Sequence, residues 1–175
     1  MEKRILAVAT AAVLFSALSC GIANAADGQI KFTGSLTADA CKVDTTSADQ
    51  TVSMGKVAIS AFTDGQGTKA SPTKFSLKLT DCPDTVTSAV VKFDGNADAS
   101  NTDLLALDSD SDAAGVGIEI ADNTGAAIPI HQASTAYPLA VGDNTLEFVA
   151  RYVSDTATVT AGAANATSDF TINYN

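Results

Sequence analysis

Apolar and polar residues alternate along this chain in short runs. Phe75, Leu77 and Leu79 alternate with Ser76, Lys78 and Thr80, and the same period of two returns at Val116, Ile118 and Ile120, at Leu146, Phe148, Ala150 and Tyr152, and at Phe170, Ile172 and Tyr174. Such a repeat places every second side chain on one face of a pleated backbone, so each run predicts a strand with one buried face. Turn-forming residues separate the runs: Asp64-Gly65, Asp94-Gly95, Asp122-Asn123-Thr124-Gly125 and Gly142-Asp143-Asn144. No window has the three-to-four spacing of a long amphipathic helix, and Gly162 and Asn165 argue against helix in the Ala-rich stretch 161–166. The pattern predicts a single all-β sandwich.

One further run stands apart from the rest. Ile30, Phe32, Gly34 and Leu36 alternate with Lys31, Thr33 and Ser35, ahead of the first strand-and-turn series. Periodicity fits two readings, a first strand that completes its own domain or a strand that pairs with a neighbouring molecule. The C-terminal run needs a partner too, because an unpaired apolar edge invites association.

The start of the chain reads as an export signal. Lys3 and Arg4 precede an uncharged apolar stretch, residues 5–18, followed by Ala23-Asn24-Ala25. The stretch is short for a bilayer span and the small residues fit a cleavage site, which predicts a signal peptide over residues 1–25. Lipid attachment at Cys20 is disfavoured, because Ala17-Leu18-Ser19 puts the large apolar residue in the wrong place. Removing residues 1–25 takes away Cys20, Glu2, Lys3 and Arg4, and leaves 150 residues with 8 basic and 19 acidic side chains, a net charge of −11. Cys41 and Cys82 are then the remaining cysteines of an exported protein, where an even count is read as a disulfide. Closing that 41-residue separation stabilises by about 4 kcal/mol in the chain-entropy account.

Charge and composition narrow the function. A formal charge of −10 on the whole chain disfavours nucleic acid and anionic membrane surfaces, which are bound through clustered Lys and Arg. A single histidine, His131, leaves no set for most zinc hydrolase sites or for a two-imidazole relay. Asp108, Asp110, Asp112 and Glu119 match four positions of a calcium-loop template, but Ala113 stands where that loop needs glycine and residues 116–120 read as strand, so a solvated acidic loop is expected. Neither a G-x-S-x-G elbow nor a phosphate-binding loop is present, and with 6% aromatic residues and no Trp little remains to build a sugar platform beside a carboxylate pair. No catalytic residue, metal or cofactor is expected.

The order of several segments carries a resemblance. Gly28-Gln29-Ile30-Lys31-Phe32-Thr33-Gly34-Ser35-Leu36, then Ala40-Cys41, then Phe75-Ser76-Leu77-Lys78-Leu79-Thr80-Asp81-Cys82, residues 115–128 (GVGIEIADNTGAAI), residues 160–166, and the ending Asp169-Phe170-Thr171-Ile172-Asn173-Tyr174-Asn175 together resemble a type 1 fimbrial subunit of the chaperone-usher class. The resemblance implies an incomplete immunoglobulin-like sandwich, a pilin domain over residues 38–175 that lacks its last strand and exposes a groove beside Phe170, Ile172 and Tyr174. It implies that residues 26–37 form a donor-strand extension, with Ile30, Phe32 and Leu36 as inserted side chains and Gly34 where the groove admits none. The implied partners are identical or related pilins, a periplasmic chaperone and an outer-membrane usher. The implied location is an extracellular fimbria reached through the periplasm, and the fibre supports adhesion, with a host receptor as a further partner. A minor adaptor or carbohydrate-binding adhesin subunit of the same fibre is the alternative.

Overall fold

The computed structural model describes residues 29–34 and 40–175. The expected signal peptide, Ser35 and Leu36 lie outside these. The chain divides into two units, Met1–Leu36 and Thr37–Asn175. In the first, residues 29–34 belong to no strand, and Ile30 and Phe32 are 79% and 90% exposed.

The described residues of the second unit form seven strands: β1 (Lys42–Val43), β2 (Thr73–Cys82), β3 (Ser88–Asp94), β4 (Val116–Asp122), β5 (Tyr137–Pro138), β6 (Gly142–Ser154) and β7 (Asp169–Tyr174). One sheet has the order β1-β2-β6-β4 and the other β5-β3-β7, with antiparallel pairing throughout. One turn of helix (Thr45–Ala48) follows β1, capped by the Asp44 carboxylate, which accepts from the Thr46 N–H. A 3-10 turn (Ile59–Phe62) lies between it and β2.

The alternation seen in the sequence sets the faces. Leu77 and Leu79 of β2, Val91 and Phe93 of β3, and Leu146, Phe148 and Tyr152 of β6 point into one core. Phe148 lies at its centre, with the rings of Phe75, Phe93 and Tyr137 each 5.3 to 5.4 Å away. Each large side chain buried there contributes about 1.5 to 3 kcal/mol. Strand β4 is buried on both faces, so its outward carboxylate, Glu119, is paired rather than solvated: Lys69 Nζ lies 2.6 Å away and Arg151 Nε donates at 2.7 Å. The Cys41–Cys82 disulfide joins the start of β1 to the end of β2. Gly115 precedes β4 at φ +82, and a Cβ there would come within 2.2 Å of the Thr158 carbonyl oxygen, so both the backbone angle and the space require glycine.

Candidate functional site

Strand β7 pairs with β3 along one side and, among the described residues, has no strand on the other. Ser88 and Asn175 exchange both backbone hydrogen bonds, at 3.1 and 2.9 Å. Hydrogen-bonded and non-bonded pairs alternate along an antiparallel ladder, so Asn173, Thr171 and Asp169 also bond to β3. Phe170, Ile172 and Tyr174 therefore turn their N–H and C=O groups to the open edge. Strand β3 obeys the same parity, since its Val91 and Phe93 carbonyls accept from Ser134 and His131 on the far side.

The parity continues upstream of β7. The carbonyls of Ala163 and Asn165 accept from Ala113 and Asp108, the Asn165 N–H donates to Ser111 Oγ, and the Thr167 N–H donates to Asp108 Oδ1. Burial keeps step, with even-numbered residues from 164 to 174 half-buried and their odd neighbours exposed. The result is one extended edge over residues 164–174. Of its upstream carbonyls, that of Ala164 accepts from the Tyr152 hydroxyl at 2.6 Å.

Residues 50–57 form the facing wall. They make no backbone–backbone hydrogen bond among the described residues, and Val52 and Met54 are half-buried while Thr51 and Ser53 are exposed. Between the two walls lies a groove of about 1280 Å³ whose floor is the core itself, at Leu77, Phe93, Ile118 and Tyr152. Two unpaired backbones facing each other over apolar side chains can accept one more strand, with ladder hydrogen bonds along its length and pockets for alternate side chains.

The groove is not uniform along the edge. It is lined by residues 164–170, where the inward side chains Ala164, Ala166 and Ser168 are small, and Phe170 is its last member on that side. Ile172 and Tyr174 lie beyond the groove; like Ala164, Ala166 and Phe170 they pack against the core, and the Tyr174 hydroxyl donates to the Cys41 carbonyl at 3.3 Å. Burial pushes the Tyr152 and Tyr174 hydroxyls above the usual phenol range, so both stay neutral donors. The carboxylates in the lining are Asp49, Asp108 and Asp169, against one Lys56.

Of the residues singled out in the sequence, Phe170 lines the groove, Ile172 and Tyr174 continue its edge, and Cys41 and Cys82 are bonded. Ile30 and Phe32 are exposed, and a Cβ added to Gly34 would meet nothing within 4 Å. The acidic loop is tied down by protein donors: Asp108 accepts from Thr167 N and Oγ1, and Glu119 is held by Lys69 and Arg151. His131, read in sequence as a residue without a partner set, has its Nδ1 3.1 Å from Asp94 Oδ1. The hydrogen bond from His131, then that from Lys92, holds the Asp94 carboxyl below its ordinary range. Sequence reasoning also missed the facing wall and the small-residue half of the edge. The signal was present as alternation of Ala164, Ala166 and Ser168 with Asn165, Thr167 and Asp169, but in residues too small to register as a hydrophobic stripe.

Comparison with known proteins places this geometry. Residues 30–175 match the family described as Fimbrial protein. The chain is 40% identical to the type-1 fimbrial protein A chain of Salmonella typhi, over 99% of this chain and 100% of that one. It superposes on the antigen and type I fimbria protein BPSL1626 of Burkholderia pseudomallei with a TM-score of 0.62 and 41% identity, covering 84% of this chain and 97% of that one. The P pilus rod subunit PapA shares the fold at a TM-score of 0.68 and 22% identity, over 78% of this chain and 100% of that one.

Proposed function

Since the chain belongs to the fimbrial protein family and is a structural subunit of a bacterial surface fimbria, we propose that it polymerises by strand donation. Residues 26–37 of one subunit enter the groove of the next and pair with its 164–174 edge. The supporting observation is the pairing of opposites in one chain: an edge with its backbone groups turned outward over an open apolar groove, and an alternating apolar segment with Ile30 and Phe32 in solvent. Before assembly the same groove is filled by a strand from a periplasmic chaperone, and the exchange takes place at an outer-membrane usher after residues 1–25 have directed export. The pilin domain is residues 38–175, and its role is mechanical, with adhesion a property of the finished fibre.

Deletion of residues 26–37 tests this. The shortened subunit is expected to co-purify with its chaperone, because the groove is intact, and to form no fibres when the full operon is expressed. Fibres of normal length from the deletion would overturn the donor assignment.

A further inference from the structure

We propose that Met54 is an oxidation site, that a hypohalous acid converts its thioether to the sulfoxide while the groove is open, and that the sulfoxide then slows strand donation. The inference rests on the strand-donation reading and adds a chemical control to it.

Composition puts the chemistry on one atom. Of the two methionines of the chain, Met1 lies in the expected signal peptide, so residues 26–175 keep only Met54. They contain no Trp, and their two cysteines are already oxidised to the Cys41–Cys82 disulfide. The Met54 thioether is therefore the one sulfur of the exported chain still open to a two-electron oxidant. With hypochlorous acid the step is an oxygen transfer. A bond forms between Sδ and the oxygen as the oxygen–chlorine bond breaks; sulfur gives up two electrons, chlorine takes them, and chloride and a proton leave.

Position turns that chemistry into a control. Met54 is half-buried on the wall at residues 50–57, and of those residues it alone both lines the groove and packs against the core. The wall makes no backbone–backbone hydrogen bond among the described residues, so little holds it shut against a small oxidant. In the open groove a sulfoxide oxygen is hydrated and costs the subunit little. A strand that closes over it strips that water away, and an acceptor without a donor is costly to bury. The floor offers none at Leu77, Phe93, Leu105 and Ile118. Along the edge, the hydroxyls of Tyr152, Thr167 and Ser168 already donate to the Ala164 carbonyl, the Asp108 carboxylate and the Asp94 carbonyl. A flexible apolar side chain that adapts to an incoming strand thus becomes a polar one that resists it.

The test uses the exported subunit, residues 26–175, and a labelled synthetic peptide of residues 26–37 as the strand. Subunit treated with hypochlorous acid, with the sulfoxide located at Met54 by peptide mass mapping, is expected to keep its urea midpoint. It is expected to take up the peptide about tenfold more slowly than untreated subunit. Met54→Leu, a volume-conserving change, is expected to take up the peptide at the untreated rate before and after the oxidant. Equal rates for oxidised and untreated wild type, or a treated Met54→Leu slowed as much as treated wild type, overturn the proposal. Should Met54→Leu not fold, Met54→Gln decides: a polar side chain of similar length is expected to slow uptake with no oxidant present, and an unaltered rate overturns the proposal. Untreated wild type that takes up no peptide overturns strand donation itself.

Discussion

At the scale of single residues two buried side-chain atoms lack a hydrogen-bond partner among the described residues, the Tyr137 hydroxyl oxygen and a carboxylate oxygen of Asp155. Loss of solvation first, and the neighbouring Asp98 carboxylate second, raise the Asp155 pKa above the ordinary value of 3.8. An acid whose folded pKa is raised holds its proton more tightly in the folded state. Its contribution to stability is therefore complete below the unfolded pKa and falls as pH rises through the folded one. Asp155→Asn is expected to raise stability at neutral pH by on the order of 1 kcal/mol. That gain should shrink toward zero below about pH 4, where the unfolded carboxyl also carries a proton. Urea unfolding of the mature subunit across that range reads it, and a gain still present at pH 3 would contradict the account. Gly34 makes the opposite kind of residue-scale statement. A Cβ there meets nothing within 4 Å in the subunit, while under the proposed strand donation the residue would enter the groove of the next subunit. Gly34→Leu should leave the unfolding midpoint of the subunit unchanged and cut the assembly rate roughly tenfold, the penalty of an overpacked pocket. A subunit destabilised to the same degree would place Gly34 in its own domain instead.

Among the elements, legibility in the sequence followed the size of the side chains. Strands β2, β4, β6 and β7 could be read because Leu, Ile, Phe and Tyr occupy their inward positions at period two. Strand β3 was not singled out, because Val90 and Val91 stand side by side and blur the alternation; its neighbours on both edges, β5 and β7, half-bury the outward Val90 as well. Strands β1 and β5 are two residues each, too short for any period. The groove was only half legible. The alternating apolar segment proposed to fill it and the β7 end of its edge are sequence patterns, but the wall at residues 50–57 and the hydrogen bond of His131 with Asp94 are juxtapositions of distant segments that spacing does not encode. The disulfide was legible from cysteine number and export alone. β1 is held to β2 by the pairs Lys42 with Thr80 and Val43 with Leu79 besides the covalent bond. Reduction, or replacement of both cysteines by Ala, is expected to cost about 4 kcal/mol in denaturant unfolding, and a loss under 1 kcal/mol would mean that the bond adds little to what β1 pairing already secures.

For the whole molecule, the energetics of strand donation separate how firmly a fibre holds from how long it lasts. Three buried apolar side chains contribute about 1.5 to 3 kcal/mol each, while ordering the extension costs about 1 to 2 kcal/mol per residue. Side chains alone leave a small margin, and the ladder along an eleven-residue edge must supply the rest. A strand paired along its whole length has to leave before another can take its place, so persistence is set by a dissociation rate. Isotope-labelled subunits mixed with preformed fibres in native buffer are expected to show no incorporation over hours, and exchange within seconds would contradict a kinetically held joint.

The position of the disulfide gives such a fibre its load path. The segment proposed as donor ends at residue 37, a few positions before Cys41 in the sequence, and β1, which follows, is two residues long. Tension arriving through that segment would peel so short a strand from its sheet, but at Cys41 it passes through a covalent bond into Cys82, at the end of the ten-residue β2. Each link of the chain is thus anchored on its longest-paired sheet, and the weakest member under traction becomes the non-covalent joint between subunits.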